Sequence, residues 1–165
     1  MIDVMPLAPQ DREWANELLR CRWGSTMIVS RGVVHDASNL PGFIARIDGE
    51  RIGLLTFRIE VQACEIVTLD SLRPNRGIGS ALIDAALECA RRERCSRVWL
   101  ITTNDNIEAL RFYLKRGFRL IIVHRDALDR SRQLKPGIPT IGLHGIPLRD
   151  ELELEISIAG EAVTS

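Results

Sequence analysis

Residues 73–86 read RPNRGIGSALIDAA. Gly77, Gly79 and Ser80 stand where a basic, proline-broken turn opens into an amphipathic stretch. Glycine has no Cβ, so it takes unusual dihedrals and lets a ligand approach the main chain. A helix start adds unpaired N–H groups and roughly half a positive charge. Together they suit a phosphate or pyrophosphate. The dipole term is only about 0.3–1 kcal/mol when exposed, so several hydrogen bonds must share the binding. Two familiar phosphate loops are excluded. A Walker loop ends in G-K-[ST], whereas Ser80 and Ala81 follow Gly79 here. A dinucleotide turn needs a third glycine where Leu82 stands. The competing reading is a tight turn serving helix–strand packing alone.

The surrounding pattern supplies the elements that must position this turn. Trp14, Leu18, Leu19 and Trp23 lie at helical spacing after Gln10 and Asp11, which are capping candidates. Residues 24–41 read as irregular. GFIARIDGERIGLLTFRIEV reads as two strands around a DGE turn, and CEIVTLDSL as a further strand leading into the glycine turn. From Ile78 to Arg92, a stripe of Ile78, Leu82, Ile83, Ala86 and Leu87 predicts a helix of about four turns. RVWLITT predicts a strand covered on both faces. NIEALRFYLKRG predicts a second helix, stopped at Gly117, and FRLIIVHR another strand. Residues 126–149 read as a long ordered loop. DELELEISI alternates as a half-exposed strand near a sheet edge does, with pairing across a homodimer as one use of such an edge. The order predicts an α+β fold: a mixed, mostly antiparallel central sheet with helices on both faces, as a single domain over residues 1–165.

Composition bounds the partners. The 165 residues are 45% hydrophobic and 27% charged, with Lys+Arg 22 balancing Asp+Glu 22, so nucleic acid and anionic membranes are disfavoured as general partners. No apolar run approaches the roughly 20 residues that span a bilayer, and the start MIDVMPLAPQDREW has no signal-peptide pattern. Cys21, Cys64, Cys89 and Cys95 form no C-x-x-C pair, and His35, His124 and His144 stand apart. The expectation is free thiols in a reducing cytoplasm and no metal site.

Downstream of the turn, Asn106, Ala109, Phe112, Tyr113, Gly117 and Phe118 follow the pattern N-x-x-A-x-x-F-Y-x-x-x-G-F. This segment, one strand after RGIGSALI, resembles the GNAT superfamily of N-acetyltransferases over residues 65–123. The resemblance implies that acetyl-CoA is the acyl donor and that Arg76, Gly77, Ile78, Gly79, Ser80 and Ala81 hold its pyrophosphate. It further implies that the backbone of Leu69, Asp70 and Ser71 pairs with the pantetheine arm. Read literally, Arg76 to Ala81 satisfy the family pattern [QR]-x-x-G-x-[GA]. The register that keeps the helix in phase instead puts Pro74, which has no N–H, at the basic position, leaving one phosphate contact to Arg73 or Arg76.

Transfer to an amine needs a neutral amine, a polarised thioester carbonyl and a protonated leaving thiolate. Neutralising a lysine-like amine of pKa about 10.4 at pH 7 costs about 4.6 kcal/mol, so a base is required. The resemblance points to a carboxylate on the strand before the turn: Glu65, with Asp70 as its rival. Alternation places Glu65, Val67 and Leu69 on one face. Tyr113, the chain's one tyrosine, matches the family's general acid; on spacing alone it reads as a core residue. Asn104 and Asn106 suit pantetheine amides, helix capping, or both. Lys115 and Arg116 read as a solvated helix end, with contact to the adenosine phosphate as the alternative. The first helix, the segment holding Arg31, His35 and Asp36, and the stretch after Arg130 are where this family sets its acceptor. The expectation is an acetyl-CoA-dependent N-acetyltransferase acting on a small-molecule or protein amine. A non-catalytic acyl-CoA sensor of the same fold, and acyl transfer to a hydroxyl or of a longer chain, are the alternatives.

Overall fold

The structure, a computed structural model, describes residues 1–158. Seven strands make one mixed, mostly antiparallel sheet. The chain divides into two compact units. Among the described residues, the first comprises Met1–Ile28, Asp36–Val98, Ser157 and Ile158; the second comprises Val29–His35 and Trp99–Ile156.

In the first unit the strands run in the order β1 (Asp3–Pro6), β4 (Gly42–Ile47), β5 (Glu50–Glu60), β6 (Ala63–Ser71), all antiparallel neighbours. The Asp48–Gly49 turn, both residues at positive φ, closes the expected hairpin. Pro6 is tolerated because β1 is an edge strand. Helix α1 (Arg12–Trp23) starts at Asp11, but the Asp11 carboxylate caps nothing. It is buried and pairs with Arg46 at 2.7 Å and Arg51 at 2.9 Å instead. Burial alone would push this carboxyl up; the Arg51 hydrogen bond and the Arg46 charge hold it below its ordinary value. Helix α1 ends at Gly24, whose φ of +78° forms a left-handed cap.

Helix α2 (Ile78–Arg92) buries the predicted stripe of Ile78, Leu82, Ile83, Ala86 and Leu87. Alternation along β5 separates the two helices. Leu54 belongs to the core cluster formed with Leu18 and Leu19 of α1, whereas a Cβ on Gly53 would meet Ile78 at 2.6 Å and Leu82 at 3.0 Å. Thus α1 and α2 cover opposite faces, and Gly53 is what lets α2 lie close on the sheet.

The second unit holds β7 (Arg97–Thr103, shared at its start with the first unit), β9 (Glu151–Ser157) and β8 (Arg119–His124), in the order β7-β9-β8. It also holds α3 (Ile107–Lys115) and α4 (Ala127–Leu134). Gly117, at φ +94°, terminates α3 as expected. Four local readings are corrected. The segment after α1 is not irregular: it contains β2 (Met27–Ser30) and β3 (Val33–Asp36), a small hairpin turned by Arg31 and Gly32 at positive φ. The supposed loop 126–149 begins with α4, which packs Leu128 and Ser131 inward. On β7 only Val98, Leu100 and Thr102 are fully buried, the alternate residues being half-covered. Finally, β9 is an inner strand, with Glu151, Leu152, Glu153 and Leu154 all buried. Strand β8 takes the edge and exposes Leu120 to Val123.

Gly53→Ala should therefore destabilise the protein by about 1–3 kcal/mol through overpacking against Ile78 and Leu82. Urea unfolding measures this; an unchanged midpoint would show that α2 does not depend on that close approach.

Candidate active site

The glycine turn is built as a helix mouth. Gly77 caps α2 at φ +74° and, having no side chain, makes no side-chain cap bond to the helix start. A Cβ on Gly77 would meet nothing within 4 Å, so the turn faces open space and needs glycine for its backbone angle. The intrahelical ladder opens with Ala81 N–H to Gly77 O at 3.0 Å. The N–H groups of Ile78, Gly79 and Ser80 precede it and belong to the set a helix cannot satisfy internally. The two flanking arginines differ. Arg73 pairs with Glu50. Arg76 is exposed and, among the described residues, has no acidic partner. Of the two cations offered for the position Pro74 cannot serve, Arg76 is the uncommitted one.

The strand leading into the turn departs from simple alternation. Thr68 pairs with Thr56 but Ile66 pairs with Phe57, so Val67 is an extra residue, a β-bulge. Residues opposite one another share a face. Glu65, Thr68 and Asp70 therefore lie with Arg58, Thr56 and Leu54 on the α1 face, where Val67 also packs. Leu69 and Ser71 face the α2 side with Leu55 and Gly53. The bulge thus separates Leu69 from Glu65 and brings both candidate carboxylates to one face. Glu65 is 4% exposed, with one oxygen 3.7 Å from Arg58, which also pairs with Glu60. Asp70 accepts a hydrogen bond of 2.9 Å from the Trp23 indole at the end of α1. Burial pushes the Asp70 carboxyl above its ordinary value, against the pull of the Trp23 bond and the Arg22 charge. Burial likewise pushes the Cys64 thiol up to about 12. All four cysteines are free.

In the second unit, Asn106 caps α3 by accepting from Ala109 N–H at 3.2 Å. Asn104 spends its side chain on the segment before β9: it donates to Pro147 O at 2.8 Å and accepts from the Arg149 and Asp150 N–H groups, each at 3.0 Å. Between them Asp105, not singled out by its sequence context, is buried and accepts from Leu143 N–H at 2.8 Å and from the Thr103 hydroxyl. A Cβ on Gly142 would collide with this carboxylate, which accounts for glycine there. Tyr113 is 9% exposed and stands edge-on between Phe112 (centroids 5.2 Å apart) and Phe118 (5.5 Å).

A buried charge cluster escaped the sequence reading. On β9, Glu151 accepts from Arg31 N–H at 2.9 Å and from the Ser131 hydroxyl at 3.2 Å. Glu153 lies 3.1 Å from His124 Nε2 and 3.7 Å from Arg31 Nη1. The Arg31 guanidinium sits 5.3 Å above the Trp99 ring, covering the half-buried side of β7. The charged positions of DELELEISI carried a signal, but alternation alone reads them as solvated. Among the described residues no grouping of three or more His, Cys, Asp or Glu suits a metal, and no helix is long and apolar enough to cross a membrane.

A helix mouth with free amides beside an uncommitted arginine, at the end of a bulged strand, suits an anionic group such as a diphosphate. The family comparison agrees: residues 8–118 match the model of the acetyltransferase (GNAT) family, and the chain belongs to that family. It is 38% identical over 154 residues to "Uncharacterized protein YxbD" of Bacillus subtilis strain 168, covering 93% of this chain and 97% of that one. Among solved structures it is similar to an IAA acetyltransferase from Bacillus cereus ATCC 14579 (TM-score 0.70, 18% identity, 96% of this chain and 100% of that one). A GNAT family acetyltransferase from Elizabethkingia anophelis, solved with acetyl-CoA bound, gives a TM-score of 0.69 at 19% identity over 95% and 98% of the two chains. The two structures share the fold with this protein.

An acid whose pKa rises on folding holds more protons folded than unfolded between its ordinary value, 3.8 for Asp70, and the raised one. Stability relative to Asp70→Asn should therefore fall as pH increases through that window. Paired urea titrations from pH 3.5 upward measure it, and a difference that grew with pH would overturn the assignment.

Proposed function

We propose that the protein transfers the acetyl group of acetyl-CoA to a primary amine of a small molecule or protein. The observation that carries this reading is the open, glycine-led start of α2, where the Ile78, Gly79 and Ser80 amides precede the first intrahelical bond and Arg76 is uncommitted. That arrangement fits a diphosphate, and membership of an acetyltransferase family, together with a structural neighbour solved with acetyl-CoA bound, supports acetyl-CoA as its carrier. When bound, the cosubstrate supplies an activated thioester. The residues from Arg76 to Ala81 hold the diphosphate, and the backbone of Leu69, Asp70 and Ser71 receives the pantetheine arm. Asn106 and Ala109 fix the start of α3, and Asn104 ties that region to the chain before β9.

Asp70 is the proposed base. Burial raises its affinity for a proton, the direction that suits a base taking one from an incoming ammonium, and the Trp23 indole fixes the orientation of its carboxylate. Glu65, on the same face, is opposed by Arg58 and takes the supporting role. The Tyr113 phenol gives its proton to the departing thiolate, its ring held between Phe112 and Phe118.

CoA at a hundred times its Kd should stabilise the protein by about 2.7 kcal/mol. Gly79→Val should remove that thermal shift while leaving the ligand-free melt intact; normal CoA affinity in this variant would remove the phosphate-turn reading. With an amine panel followed by thiol detection of released CoA, Tyr113→Phe should lower kcat more than it weakens CoA binding. Equal losses would make Tyr113 a positioning residue. CoA binding without turnover on any amine would favour the sensor reading.

A further inference from the structure

The second unit contains a cleft of about 700 Å³, a size that suits a small molecule. Its walls are the tip of the β2–β3 hairpin, the turn after β8 and the exposed side of α4. Three arginines line it: Arg31, Arg125 and Arg130. Arg31 is anchored by its backbone N–H on Glu151 and by its guanidinium 3.7 Å from Glu153 and 5.3 Å from the Trp99 ring, yet its side chain stays 44% exposed. The Arg130 stem runs directly over Gly32, where a Cβ would stand 2.9 Å from Arg130 Cδ. Gly32 also needs its φ of +70°, so the hairpin tip is shaped to let that guanidinium cross it.

The charges in this cleft do not cancel. Among the described residues neither Arg125 nor Arg130 has an acidic partner. Of the acids on the walls, Asp129 is committed to Arg132 at 3.1 Å. His124 is committed to Glu153. Asp126 alone is an unpaired acid, against two unpaired guanidiniums and a third only loosely engaged. Guanidinium groups match carboxylates and phosphates in a bidentate fork.

We propose that this cleft binds the oxyanion, carboxylate or phosphate, of a small molecule through Arg125 and Arg130, with Arg31 as the pinned floor. The inference stands on the second unit's own side chains and does not require the acetyl-transfer reading. Two sources offer that chemistry: an acidic group on the amine acceptor, or a separate acidic effector.

The test is calorimetric titration of the full chain with citrate and with inorganic phosphate, at ionic strength held constant with KCl. Arg125→Gln combined with Arg130→Met removes both charges while keeping an unbranched stem over Gly32; Arg125→Gln alone guards against a folding defect. Saturable binding to wild type, weakened at least tenfold in the double variant with its CoA thermal shift intact, is the expected result. Lack of saturation in wild type, or equal binding in the double variant, would overturn the proposal whatever the fate of the CoA reading. Amines carrying a carboxylate, compared with their amides, separate the sources. A KM advantage of the acids that the double variant erases assigns the oxyanion to the acceptor. Citrate binding that persists at saturating neutral amine assigns it to an effector.

Discussion

The close seating of α2 on β5 is the constraint on which the first unit depends. Gly53 presents no Cβ, so Ile78 and Leu82 settle against the strand backbone. Ile78 is the first residue of the helix, and the same contact therefore sets where the helix mouth sits. A helix resting further out would keep its dipole and its free amides but shift them relative to β6, whose backbone leads straight into the turn. The packing of the core and the position of the helix mouth thus rest on the same contact.

The bulge at Val67 is the second such device. It adds one residue to β6, breaks the two-residue period and transfers Thr68 and Asp70 to the face already occupied by Glu65. Both carboxylates then look toward α1, where Trp23 meets Asp70 and Arg58 stands opposite Glu65. Their partners differ: Asp70 accepts a neutral indole N–H, whereas Glu65 lies 3.7 Å from a guanidinium.

In the second unit, a buried charge cluster lies beside the apolar residues Phe118, Leu128, Leu148, Leu152 and Leu154. Glu151 and Glu153 are each 2% exposed and would be costly without partners. Arg31, Ser131 and His124 supply them from three different elements. Burying ion pairs is weak evidence for stability, but removing one partner is strongly destabilising, so the cluster locks the hairpin tip to β9. That lock also holds Arg31 facing the arginine-lined cleft.

Much of this was legible in the sequence because it rests on local periodicity and on glycine. The stripe of α2, the DGE hairpin, the Gly117 stop and the turn at Gly77 each follow from residue type and spacing, and so does the family resemblance. The hairpin 27–36 and α4 were not legible, since both are short and held mainly by partners distant in sequence. Nor was the place of β9: its alternating acids read as an exposed edge because solvation is the cheapest fate for a charge, and only the arrival of Arg31, Ser131 and His124 makes burial tolerable. Likewise, a bulge is a mismatch between two strands, so neither strand alone encodes it visibly. The sequence by itself determined α1, α2, α3 and the glycine turn, each set within a few consecutive residues. Only the tertiary structure decided which face Asp70 occupies, which arginines remain uncommitted and which carboxylates are buried, because each depends on a partner 20 or more positions away.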